Sequence, residues 1–95
     1  MPQAKLLGQD DIDRLLETVL GWEQVEDTLV KQFAFKDFEA AVQFVSSLVP
    51  VADKLDHHPD VHIHWNTVEL VLWTHVTGGI TERDFELAQA IDSMR

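Results

Sequence analysis

DFEAAVQFVSSLVPVADKLDHHPDVHIHWNTVELVLWTH, residues 37–75, holds the change of hydrophobic period on which the fold depends. Its first half keeps a helical period. Phe38, Ala41, Val42, Val45, Leu48, Val49, Ala52 and Leu55 recur at three- and four-residue steps behind Asp37, which has the chemistry of an N-cap. Pro50 lies within that run and removes a backbone donor, so a kink there, or a helix restarting at Pro50, is expected rather than a straight rod. After His57-His58-Pro59-Asp60 the period drops to two. Val61–Trp65 and Thr67–His75 read as two strands. In the second, Val68, Leu70, Leu72 and Thr74 face one way, toward helices. Glu69, Val71, Trp73 and His75 face the other, where Val71 and Trp73 suit a pocket wall or a subunit contact.

Working outward toward the N-terminus, Trp22–Glu26 and Thr28–Phe35 read as a hairpin, with Leu29, Lys31, Phe33 and Phe35 on one face of its second strand. Before it, Ile12, Leu15, Leu16, Val19 and Leu20 predict an amphipathic helix over Gln9–Leu20, with acidic residues in the first turn and Gly21 as its stop. Toward the C-terminus, Gly78 and Gly79 break the last strand. Thr81 and Asp84 then have the spacing of a capping box opening a helix over Thr81–Met94. The order is α-β-β-α-β-β-α. It predicts an α+β fold, a four-stranded antiparallel sheet with helices packed on one face and sheet edges left free for pairing.

The whole chain, 1–95, reads as a single domain without repeats or linkers. Seven Lys plus Arg against seventeen Asp plus Glu give a net charge of −10, and protonating all five histidines would still leave −5. A phosphate backbone or an anionic membrane surface is therefore a poor partner. With no cysteine there is no disulfide, thiol nucleophile or thiolate metal site. No apolar run approaches the roughly 20 residues that span a bilayer, and MPQAKLLGQDD lacks the apolar core of a signal peptide, so a cytoplasmic protein is expected.

The unusual feature is the placement of the histidines. His57, His58, His62, His64 and His75 all fall within nineteen residues. Histidine titrates near neutrality without special help, so several converging on one pocket could donate and accept protons in a single turnover. Two other readings fit the same residues. His62 and His64 alternate around Ile63 and could be solvated side chains on one strand face, with His57 and His58 incidental to a turn at Pro59. Alternatively, His57, His58, His62 and His64 with Asp56 and Asp60 offer ligands suited to zinc or nickel, although their spacing matches no recognised zinc pattern.

A wider constellation surrounds these histidines. Asp53 is followed after three residues by His57-His58-Pro59, after five more by Trp65, after nine by His75 and after eight by Asp84. This pattern resembles the signature of the pterin-4a-carbinolamine dehydratase family. ADKLDHHPD is similar to the end of that family's long helix and its active-site loop, and WTHVTGGITERDFELAQAI to its Thr-His strand end, glycine turn and final helix. With GWE and KQFAFKDFEAAVQFV upstream, the resemblance covers Leu7–Met94.

The resemblance implies a hydro-lyase acting on a 4a-hydroxytetrahydropterin, with no cofactor and no metal. It implies that His57 and His75 protonate the departing hydroxyl and that His58 holds substrate or takes the N5 proton, although which histidine is the base stays open. Asp53, one helical turn before His57, could orient it or keep it protonated. Asp84 could cap the last helix and also aim a carboxylate into the pocket. Trp65 would wall the pocket or fill core, and Pro59 would fix the turn. His62 and His64 fall in an unspecified gap, so the family gives them no role. The resemblance further implies a homodimer or homotetramer and a functional link to an aromatic amino acid hydroxylase. Relatives that serve as dimerisation or assembly partners of other proteins supply the alternative function.

Overall fold

A computed structural model describes residues 4–94. Among the described residues three helices, α1 (Gln9–Leu16), α2 (Phe38–Leu55) and α3 (Glu82–Asp92), accompany four strands, β1 (Glu23–Val25), β2 (Thr28–Ala34), β3 (Asp60–His64) and β4 (Thr67–Leu72). The strands form one antiparallel sheet in the order β1-β2-β4-β3, the predicted α+β arrangement. No described helix is long and apolar enough to cross a membrane.

The alternation read in β4 sets the inner face. Val68, Leu70, Leu72 and, just past the strand, Thr74 are buried, while Glu69, Val71 and Trp73 on the other face stay partly exposed. Leu29 and Phe33 of β2 join that inner layer. Against it α2 sets Ala41, Phe44, Leu48 and Ala52, and α3 sets Phe85, Leu87, Ala88 and Ile91. Phe44 meets Phe33 with ring centroids 4.9 Å apart and Phe35 at 5.0 Å. The buried face of α2 is thus rotated from the predicted stripe. Phe44 is inside, whereas Phe38, Val42 and Val49 are exposed.

The helix does not restart at Pro50: α2 runs as one helix of 18 residues with the proline inside it. Pro50 and Ser46 both lie on the exposed side, so the Ser46 carbonyl, which loses its usual i+4 donor, can be met by water. Asp37 caps the helix as predicted, its carboxylate accepting from the Ala40 N–H at 2.8 Å.

Helix α1 ends four residues before the predicted Leu20. Thr18 N–H and Val19 N–H bond to carbonyls three residues back, on Leu15 and Leu16, and the Thr18 hydroxyl also takes the Leu15 carbonyl. This tightened turn buries Val19 but leaves Leu20 80% exposed. The chain reverses at Gly21, whose φ of 87° lies in the left-handed region that favours glycine. Trp22 then anchors the reversal to α3. Its Nε1 donates to both oxygens of Asp92 at 3.1 Å, and Lys31 Nζ donates to Asp92 at 3.0 Å and to the Leu20 carbonyl at 3.0 Å.

Strand ends also move. Glu26 and Trp65 lie outside β1 and β3, in tight turns with φ of 54° and 52°. His75 lies beyond β4 because the chain folds back on Thr74. The Thr74 carbonyl accepts from the Thr77 and Gly78 amides, and Thr74 N–H donates to the Gly79 carbonyl at 2.8 Å.

Candidate active site

The end of α2 fixes the paired histidines. Asp56 stops the helix in the left-handed region, with φ 52° and ψ 43°, and the His57 N–H reaches back to the Ala52 carbonyl at 3.1 Å. Arg83, at the start of α3, donates to the carbonyls of Leu55 and Asp56 and so covers the open end of α2. Pro59 then carries the chain into β3. Across the sheet, Trp73, Thr74 and His75 leave β4 beside the same loop. Together Asp56–Asp60, Trp73–Val76 and Arg83 line a cavity of about 300 Å³. All three histidines assigned by resemblance therefore face one space. That volume lies at the small end of the range for sites that hold organic ligands.

Beneath the cavity sits a buried polar network. Asp84 is fully buried, and each oxygen is committed. Its Oδ1 lies 2.5 Å from His57 Nε2. Its Oδ2 accepts from the Thr81 N–H at 2.9 Å and from the Thr74 hydroxyl at 3.0 Å. Because Thr74 spends its one hydroxyl proton on Asp84, the 2.7 Å contact between the two threonines has Thr81 as donor. Thr81 Oγ1 in turn accepts from the Arg83 N–H at 3.2 Å, completing the capping box. Asp84 thus both caps α3 and aims a carboxylate at the cavity. A carboxylate oxygen is the acceptor in this pairing, so His57 Nε2 is the donor and Nδ1 is the ring nitrogen not engaged by Asp84. No buried side-chain polar atom among the described residues lacks a partner.

Asp53 departs from expectation. It partners His58 rather than His57, with Oδ1 2.9 Å from His58 Nε2, and both side chains are largely exposed. His57 turns inward to Asp84, leaving the neighbouring imidazole for the helix carboxylate. Trp65 also departs. It sits in the β3–β4 turn, 71% exposed, so it fills no core, and it lies outside the cavity lining of the single chain. His62 and His64 lie on the outer sheet face, beside Glu69 and Thr67 respectively, and do not join the cavity. Among the described residues no group of three or more His, Asp or Glu is disposed to hold a metal ion.

Sequence reasoning assigns no site role to Thr74 and Arg83, and offers Asp60 only as a candidate metal ligand. Thr74 reads from the sequence as an inward-facing strand residue at the Thr-His strand end, with no sign of its bond to Asp84. Arg83 and Asp60 gave no periodic signal, since their partners are carbonyls and side chains distant in sequence.

A profile of the family described as pterin 4 alpha carbinolamine dehydratase matches residues 5–94. The chain belongs to the pterin-4a-carbinolamine dehydratase family. Two relatives named after this family, from Sulfolobus acidocaldarius and Thermosynechococcus vestitus, are each 44% identical to it. They cover 94% and 96% of this chain, and the alignments span 98% and 96% of their own lengths. The crystal structure of a transcriptional coactivator/pterin dehydratase from Brucella melitensis is 32% identical over 93% of this chain and 96% of its own, with a TM-score of 0.86. A pterin dehydratase-like protein identified as a RuBisCO assembly factor in the alpha-carboxysome is 22% identical over 78% of this chain and 88% of its own. Its TM-score of 0.63 shows a shared fold.

Proposed function

We propose that this dehydratase-family chain removes water from a 4a-hydroxytetrahydropterin to give the quinonoid dihydropterin, by general acid–base catalysis from His57, His58 and His75. The carrying observation is that these three imidazoles line one cavity. In the reaction the C4a–O bond breaks, the departing hydroxide takes a proton and leaves as water, N5 gives its proton to a base, and a C4a=N5 bond forms. Hydroxide is a poor leaving group, so an acid must meet it as it departs. His57 and His75 fill that role, and His58 holds the ring or takes the N5 proton. Each positioned proton transfer is worth about 10²–10⁴-fold.

Asp84 serves the reaction by fixing the tautomer of His57, and Asp53 by orienting His58. The thin core of a 95-residue chain favours a homodimer or homotetramer. Tetrahydropterin recycling beside an aromatic amino acid hydroxylase is the setting in which this substrate would arise. A second reading, an assembly partner of other proteins, draws on Phe38, Val42 and Val49, which leave an apolar stripe exposed along α2.

The test is kinetic. Purified protein added to chemically generated carbinolamine is expected to accelerate loss of the 4a-hydroxy absorbance well above the spontaneous rate. Decay at the spontaneous rate, with a stoichiometric partner co-purifying from native extract, would favour the assembly reading instead.

A further inference from the structure

We propose that Asp60 is a positioning residue for His75, acting through the indole of Trp73; this rests on the dehydratase reading above. Asp60 opens β3 directly after His57-His58-Pro59, and the register sets it opposite Val71. Trp73 lies two residues beyond Val71, on the same outer side of the sheet. Its Nε1 donates to Asp60 Oδ2 at 2.8 Å. The His75 ring lies against the indole, with centroids 4.0 Å apart and planes inclined by 39°. The other carboxylate oxygen stands 3.7 Å from His75 Nε2, too far for a hydrogen bond.

His75 needs such support. It follows the end of β4, its side chain is 56% exposed, and it makes no hydrogen bond among the described residues. Free of restraint, an imidazole on a turn samples several rotamers, and an acid displaced by an ångström loses much of its effect. The Trp73 stack supplies the restraint, and Asp60 holds the indole in the plane that makes the stack possible. Asp60 and His75 are both partly exposed and stand 3.7 Å apart, so direct attraction between them is screened and contributes little. The same aspartate continues the paired-histidine loop. One residue therefore ties the two sides of the cavity together.

Asp60→Ala is expected to lower kcat at least tenfold with KM within twofold. It should also abolish the upfield ring-current displacement of the His75 ring protons, assigned by their absence in His75→Ala. Asp60→Asn keeps an acceptor for the indole, so it should preserve that displacement and reduce kcat only about threefold. Asp60→Ser, too short to reach Trp73, repeats the alanine result in a second background. The proposal is overturned if the His75 signals stay put in Asp60→Ala and Asp60→Ser, if KM rises while kcat holds, or if Asn is as damaging as Ala. The resonance readout needs no turnover, so failure of this positioning role is distinguishable from failure of the dehydratase reading.

Discussion

Asp84→Ala is expected to lower the stability of the fold by about 3–5 kcal/mol, because each buried polar group left without a partner costs about 1–3 kcal/mol. Three groups lose their acceptor at once: His57 Nε2, the Thr81 amide and the Thr74 hydroxyl. All three residues are buried, so water cannot readily replace the carboxylate. The capping box of α3 is lost in the same step. Against a total of about 5–15 kcal/mol for a typical domain, this is a large fraction. Urea unfolding followed by circular dichroism measures it. Asp84→Asn should destabilise less, because one oxygen remains while the amide nitrogen faces a donor. A loss under about 1 kcal/mol for the alanine variant would mean that the network is not the anchor described.

The second large effect concerns rate rather than folding. His75→Ala should reduce carbinolamine dehydration at least tenfold and leave the unfolding midpoint nearly unchanged, because this exposed side chain gives up little packing. His57→Ala should lose at least as much activity and also about 1–3 kcal/mol of stability, since it leaves Asp84 Oδ1 buried without a donor. Steady-state kinetics beside urea titrations separates the two quantities. Full activity in either variant would remove that histidine from the proton-transfer set. The contrast between the pair follows from burial alone: one imidazole is part of the core, and the other leans on the surface.

Much of this architecture was legible because periodicity reports which side of an element faces inward. The alternation Val68, Leu70, Leu72, Thr74 marked the inner side of β4, and Asp37 and Thr81 marked two helix starts. Ends were harder to read. Leu20 fits the α1 period and Gly21 marks the reversal, yet no local preference announces the tightened turn at Thr18 that takes Leu20 out of the helix. Pro50 shows the reverse. Its local penalty predicts a break, but an exposed position lets solvent meet the orphaned carbonyl, and packing carries α2 through.

In the site, the signature spacing pointed to His57, His58, Asp84 and His75, but spacing could not say which carboxylate meets which imidazole. Asp53 precedes His57 by one helical turn and so reads as its partner. The left-handed residue Asp56 rotates the chain, sending His57 to Asp84 and His58 to Asp53. Trp73 and Asp60 meet only through the β3–β4 register, which no single-strand pattern encodes.

The most direct test of the account is where a pterin sits. Titrating protein carrying ¹⁵N-labelled histidine with a stable dihydropterin, and following the imidazole nitrogens, reads all five histidines at once. Coincident, saturable displacement of the His57, His58 and His75 signals, with His62 and His64 unmoved, is the predicted result. Saturation that leaves those three signals in place, or that moves His62 and His64 instead, would contradict it.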